Sequence, residues 1–155
     1  MERLSPEPFA SYPLGGRILL GKIKGTNCRR GYGLRHQALT RQNTCGYCGY
    51  SLIDSYRDWL QMAYDHVVPV FICSAASIPI EWMDDLINRV LCCTACNGFK
   101  NIYKPVLPHD IPKSLEEFVM LRDYIFLERQ KAVLKCHATE KAFYDGSPWK
   151  WNGGE

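Results

Sequence analysis

The sequence predicts a small α+β domain, and three observations lead to that expectation. Two Cys-x-x-Cys pairs, Cys45 with Cys48 and Cys93 with Cys96, lie far apart in the chain. Between and after them, β-branched and aromatic runs predict a strand, a long connection, a second strand and a short helix. A Ser-x-x-Glu capping sequence at residues 114–117 then opens a long helix. The pattern favours one hairpin-and-helix unit with another helix packed beside it.

Length and composition fit one globular unit. The chain has 155 residues, of which 46% are hydrophobic and 12% aromatic, which is enough apolar material for one core. The N-terminus lacks the basic and apolar run of a secretory signal, and no stretch has the length of a membrane span. We therefore expect a cytoplasmic protein without a membrane partner.

Charge is distributed unevenly along the chain. The formal net charge of +3 is too small to indicate a nucleic-acid binder by itself. Residues 1–44 carry eight Lys or Arg and two Glu, whereas residues 45–96 carry two Arg and six acids. This distribution is the one expected if the basic N-terminal arm contacts nucleic-acid phosphates. The alternative is that the arm is an ordinary solvated charged surface. The candidates for nucleic-acid contact are Arg29, Arg30, Arg35, Arg41 and Lys100.

The individual elements follow from local patterns. Residues 1–16, rich in proline and glycine, are expected to be irregular. In residues 45–49 the glycines permit the positive φ values of a tight metal-binding turn. Residues 71–85 are expected to be a loop with one helical turn after Pro79. Strands are predicted at 17–23, 64–70 and 89–92, and helices at 34–42, 56–62 and 94–102.

The C-terminal helix is predicted to run from residue 114 to about Lys135. Arg122 and Arg129 fall inside its apolar arc. Their side chains either snorkel to water, the interpretation we favour, or reach a phosphate. The tail at 143–151 is expected to pack its tryptophans back on the domain. The apolar face includes Leu115, Phe118, Val119, Leu121, Ile125, Phe126, Ala132 and Val133.

Cysteine usage indicates a metal site. Eight cysteines in a reducing compartment favour metal binding over a disulfide framework. Structural zinc requires four soft ligands in a closed tetrahedron, and the two pairs supply them. We predict one Zn²⁺ per chain, held by Cys45, Cys48, Cys93 and Cys96. Cys92 could replace Cys93, although the two-residue spacing favours Cys93.

Other groups suited to catalysis surround this cysteine scaffold. Asp65 and His66 lie side by side between the two pairs, Asn88 precedes the second strand, and Asn97 follows the last cysteine. Each signal is weak alone, because an Asp-His pair occurs by chance, Asn88 could be an ordinary loop residue and Asn97 could cap a helix. The remaining histidines are interpreted as ordinary surface or core residues; they are His36, His109 and His137.

Together these residues resemble the HNH endonucleases. The runs Asp65-His66-Val67-Val68-Pro69, Asn88-Arg89-Val90-Leu91 and Cys93-Thr94-Ala95-Cys96-Asn97-Gly98-Phe99-Lys100 are similar to the family's ββα-metal motif. The resemblance covers roughly residues 41–104. It implies an α+β fold with a ββα-metal core, a four-cysteine zinc site and flanking helices. Residues 1–155 would form one nuclease domain, with a basic arm at 1–33, the zinc-bound core at 34–104 and a helical extension at 105–155.

The resemblance also implies roles for individual residues. His66 would be the general base in metal-dependent hydrolysis of DNA phosphodiester bonds, giving 5′-phosphate and 3′-hydroxyl products. Asp65 and Asn97 would hold one catalytic cation, and Asn88 would pin the loop that positions His66. Many family members have His where this chain has Asn97. Because Asn is the harder ligand, we expect Mg²⁺ or Mn²⁺.

Two other functions compete with this one. The main alternative is a non-catalytic zinc-binding module that binds nucleic acid or protein. A zinc hydrolase of another class would need an open coordination position, which four cysteines do not leave. Substituting His66 by Ala distinguishes a nuclease from a non-catalytic binding module, because only a nuclease would lose turnover while keeping its fold and zinc.

Overall fold

The computed structural model describes residues 41–99 and 111–146. The strand predicted at 17–23, most of the helix predicted at 34–42 and the tail from 147 onward lie outside those residues. So do four candidates for nucleic-acid contact and two of the histidines, namely Arg29, Arg30, Arg35, Lys100, His36 and His109. Arg41, the remaining candidate, is exposed and adopts a left-handed backbone conformation with φ of 56°.

In the described residues, helices pack around a two-stranded antiparallel sheet, so the expected α+β class is confirmed. The register pairs Met62 with Cys93 and His66 with Arg89. Because side chains alternate along a strand, His66 and Arg89 share one face while Asp65 lies on the other. In chain order the elements are α1 Tyr56–Leu60, β1 Met62–His66, α2 Val70–Ala75, α3 Ile80–Met83, a 3₁₀ turn at Leu86–Asn88, β2 Arg89–Cys93, α4 Thr94–Phe99 and α5 Leu115–Asp145.

The first strand ends earlier in the chain than the sequence predicted. A strand was expected over 64–70, yet β1 ends at His66 and α2 begins at Val70. In the connection predicted at 71–85, the helical turn after Pro79 is confirmed as α3, whereas the loop expected before it is wrong, because α2 occupies Val70–Ala75. Each of these helices directly follows a proline, Pro69 or Pro79, with φ of −60° or −54°. That fixed angle suits a helix start as well as a strand end, so proline alone did not distinguish them.

The C-terminal helix α5 extends ten residues beyond the predicted end, from Leu115 to Asp145. Its start is as predicted: the Ser114 side chain accepts a hydrogen bond from the backbone N–H of Glu117 at 3.2 Å. One face is buried against the hairpin, whereas Leu115 of the predicted apolar face is exposed. The buried residues of α5 are Phe118, Ile125, Arg129 and Val133.

The hydrophobic core lies between the hairpin, the first cysteine turn and α5. Tyr47 stacks on Phe126 with ring centroids 5.4 Å apart, and Trp82 packs on Phe118 at 5.9 Å. Leu91 of β2 is fully buried among them. Within residues 41–99 and 111–146, no helix combines the length and the apolar composition that crossing a bilayer requires.

Candidate metal centre and active site

The first cysteine turn docks directly on β2. Gly49 adopts φ of 74°, and its N–H donates to the Cys45 carbonyl at 2.9 Å, closing the turn. The N–H of Gly46 donates to the Leu91 carbonyl at 2.9 Å. A Cβ added at Gly46 would lie 2.5 Å from Cγ2 of Val90, so only glycine permits this approach. The sequence thus brings the first pair to the strand that ends in the second pair.

The two distant cysteine pairs converge on one point. The Sγ atoms of Cys45, Cys48, Cys93 and Cys96 all lie within 4.8 Å of one another. The Cys48 and Cys93 sulfurs are 3.9 Å apart, close to the roughly 3.8 Å expected in a tetrahedral zinc–thiolate site. Cys92 points to the other strand face and is outside the cluster, which resolves the alternative left open by the spacing. Four cysteines are therefore close enough to bind a metal such as zinc.

Hydrogen bonds among the thiols of the cluster shift their pKa values in opposite directions. Hydrogen bonds from Cys93 and Cys96 lower the pKa of Cys45. The hydrogen bond to Cys45 raises the pKa of Cys93 to about 11 and also raises the pKa of Cys96. The neighbouring thiols thus stabilise one thiolate among them. A bound divalent cation would allow all four to be deprotonated.

A histidine that the sequence analysis had set aside contacts this cluster. His137 Nε2 lies 3.0 Å from the Cys96 Sγ, and the His137 ring packs edge-on against Phe99 at 5.0 Å. His137 was interpreted as an ordinary surface or core residue, and the structure adds that it connects α5 to the second cysteine pair. Metal-bound groups commonly have such hydrogen-bonded neighbours, which orient the ligand.

His66 lies at the end of β1, and one nitrogen of its ring forms a hydrogen bond. Its Nε2 lies 3.2 Å from the Asp84 Oδ1, and the same oxygen accepts from Arg89 Nη2 at 2.7 Å. Burial, followed by the positive charge of Arg89, lowers the pKa of His66 below its ordinary value near 6.5, while Asp84 acts in the opposite direction. The ring is therefore largely neutral at pH 7. With Asp84 accepting from Nε2–H, the second ring nitrogen, Nδ1, is the proton acceptor.

Asp65 lies on the opposite strand face and is 4% exposed. Its Oδ2 accepts from Arg129 Nη2 at 2.6 Å and from the Tyr47 hydroxyl at 3.2 Å. Burial raises the pKa of Tyr47, which keeps the hydroxyl protonated as a donor. Asp65 and His66 are adjacent in sequence, yet the structure surrounds them with different partners.

Arg129 fastens the end of β1 to the C-terminal helix. Its Nη1 donates to the carbonyls of His66, at 2.6 Å, and Val67, at 2.5 Å, while Nη2 pairs with Asp65. The side chain is only 2% exposed. The prediction that Arg129 snorkels to water was therefore wrong, and neither is it open to a phosphate. Its hydrogen bonds fix the backbone that carries His66.

Replacing Arg129 by Met should lower the free energy of unfolding by about 3–5 kcal/mol, because Asp65 would remain as a buried carboxylate without its guanidinium partner. Chemical denaturation of the metal-loaded protein measures the change. Adding Asp65→Asn to this variant removes both charges and should recover much of the loss. Lys131→Met, on the exposed side of the same helix, is the matched control and should have little effect. Equal losses for the Arg129 and Lys131 variants would contradict this role of the ion pair.

The two asparagines occupy different environments. Asn88 is fully buried; its Oδ1 accepts from the Val68 N–H at 2.8 Å, and its Nδ2 donates to the Val68 and Met83 carbonyls. It thereby holds the loop that follows His66. Asn97 lies on α4, and its Oδ1 is buried without a hydrogen-bond partner in the part of the chain described. An orphaned carbonyl oxygen of this kind is suited to a hard cation.

Comparison with protein-family models, with curated proteins and with solved structures gave no match to this chain. Function must therefore be inferred from the site itself.

Proposed function

We propose that this protein is a metal-dependent endonuclease of the HNH type, with zinc in the four-cysteine cluster. The observation that carries the proposal is the contact between His66 and Asp84 at the end of β1. A half-buried neutral imidazole whose far nitrogen is bound by a carboxylate is the arrangement of an oriented general base. The order strand, strand, helix, with cysteines joining its ends, supports the same conclusion.

In this proposal His66 and Asp84 perform the proton transfer. Asp84 accepts from Nε2–H and so fixes the tautomer that leaves Nδ1 as the base. Nδ1 takes a proton from water as the water oxygen bonds to phosphorus. The bond between phosphorus and the 3′ oxygen breaks, and that oxygen is protonated from solvent. The products are a 5′-phosphate and a 3′-hydroxyl.

A divalent cation would be held by Asn97 and Asp65. The buried Asn97 Oδ1, which lacks a partner among the described residues, fits an oxygen-seeking ion such as Mg²⁺ or Mn²⁺. Asp65 would share its carboxylate between the cation and Arg129, since Oδ2 already accepts two hydrogen bonds. When bound, such an ion neutralises charge on the phosphoryl oxygens.

The test is a cleavage assay on supercoiled plasmid, single-stranded DNA and RNA with Mg²⁺, Mn²⁺ and Ni²⁺. We expect DNA cleavage with Mg²⁺ or Mn²⁺ that a chelator abolishes. Intact substrates under every condition would refute the nuclease and leave the non-catalytic zinc module as the remaining function.

Asn97→Ala should raise the Mg²⁺ concentration needed for half-maximal cleavage by about 10–100-fold, because the cation loses an oxygen ligand. The measurement is the initial cleavage rate as a function of Mg²⁺ concentration. Asn43→Ala removes an exposed amide and should leave that curve unchanged. An unaltered Mg²⁺ dependence for Asn97→Ala would exclude Asn97 as a ligand.

A further inference from the structure

A solvent-open cleft of about 480 Å³ lies between β2, the 3₁₀ turn and α5. Its lining combines apolar residues, which include Ile87, Val90 and Phe126, with the charged residues Arg89, Arg122 and Asp123. Arg89 is the cross-strand neighbour of His66 in the sheet register, and Asp84 contacts both side chains. One end of the cleft is therefore adjacent to the proposed general base.

The two arginines in this cleft retain unused hydrogen-bonding capacity. Each guanidinium carries five N–H donors. Arg89 pairs with Asp84 and Arg122 with Asp123, each through one N–O contact of 2.7 Å, while the Nε of both arginines is buried without a partner in the described part of the chain.

The guanidinium groups of Arg89 and Arg122 are less exposed than the carboxylates they pair with, and one of those carboxylates, Asp123, also lines the cleft. The side chains of Arg89 and Arg122 are 14% and 24% exposed, whereas those of Asp84 and Asp123 are 51% and 58% exposed. Water screens the carboxylates more effectively than the guanidinium groups. Arg122 also lies over the Phe126 ring at 5.3 Å, which helps to hold its guanidinium at the cleft.

We propose that this cleft binds a backbone phosphate next to the scissile bond, an inference that rests on the proposed nuclease function. Arg89 and Arg122 would contact the non-bridging oxygens in the planar geometry that guanidinium groups favour. The sugar would lie against the side chains of Ile87 and Phe126, which also line the cleft. A phosphodiester with its sugar matches a cleft whose lining contains both guanidinium groups and apolar side chains.

The test measures DNA affinity as a function of salt in a His66→Ala background, where cleavage does not interfere. Arg122→Gln should weaken binding of a short DNA duplex by about tenfold, as expected for loss of a charged hydrogen bond. It should also reduce the magnitude of the slope of log K against log[salt] by about 1, because one phosphate contact is lost. Arg122→Lys keeps the charge without the planar group, so its DNA affinity should lie between that of the Arg122 protein and that of Arg122→Gln.

Lys131→Gln is the matched control, since it removes one positive charge from the exposed side of α5. It should change affinity by less than about twofold, as expected for a screened charge outside the contact. Identical salt slopes for Arg122→Gln and Lys131→Gln would overturn the cleft assignment. So would a preference for an acidic peptide over DNA that depends on Arg122.

Cleavage by the protein with His66 intact separates the two proposals. If that protein cleaves DNA but Arg122→Gln changes neither KM nor the salt slope, the cleft proposal fails while the nuclease stands. If affinity depends on Arg122 but no DNA is cleaved, the nuclease fails while the phosphate-binding cleft is retained as a nucleic-acid contact. If both hold, Arg122→Gln should raise KM with kcat unchanged.

Discussion

Cys96→Ser should unfold the hairpin and its surrounding helices at room temperature, and removing the metal from the unmodified protein should do the same. The cysteine cluster is the junction of the first cysteine turn, β2 and α4. A two-stranded hairpin alone is marginal in water. Structural zinc contributes about 10–16 kcal/mol to such sites at pH 7, comparable with the whole stability of about 5–15 kcal/mol typical of a domain.

Far-UV circular dichroism and elemental analysis test this expectation together. The unmodified protein should contain about one zinc per chain, as four cysteines in one tetrahedral site require. Cys136→Ser is the matched control, because Cys136 lies on α5 outside the cluster, and it should keep both metal and fold. A folded protein with no metal, or a folded Cys96→Ser variant, would show that zinc does not hold this structure together.

Elements with a local sequence pattern were predictable. The two-residue cysteine spacing identified all four members of the cluster, and the capping sequence located the start of α5. The returning strand was also placed correctly, because Arg89–Cys93 is a short run of buried, mostly apolar residues. In each case the physical cause lies within a few neighbouring residues, so the sequence displays it directly.

Contacts across long sequence separations were not predictable. Arg129 meets Asp65 across 64 residues, and His137 meets Cys96 across 41. No local pattern distinguishes a buried, paired arginine on a helix from one that snorkels, because both lie at the edge of an apolar face. Asp84 was overlooked for the same reason, since only folding brings it to the His66 ring.

The different surroundings of Asp65 and His66 could have been foreseen. A strand had been predicted through both residues, and successive side chains on a strand point to opposite faces. Their adjacency in sequence therefore implied opposite orientations of the two side chains. Asp65 contributes to the position of His66 through Arg129, which binds the Asp65 carboxylate and the His66 carbonyl at once.

His66→Ala should reduce kcat for DNA cleavage by about 10²–10⁴-fold, the usual contribution of a general base. Zinc content, the circular dichroism spectrum and DNA affinity should be unchanged, because the ring is partly exposed and lies outside the cysteine cluster. Added imidazole should restore part of the rate by supplying the missing base from solution. Single-turnover cleavage of a labelled duplex measures these rates without interference from product release.

Asp84→Asn provides the companion test of how the ring is oriented. The amide oxygen can still accept from His66 Nε2–H, but it lacks the charge that stabilises the protonated ring after proton transfer. We therefore expect a smaller loss than for His66→Ala, with no response to added imidazole because the base is still present. A His66→Ala protein that cleaves at the normal rate would instead mean that the imidazole plays no part in turnover.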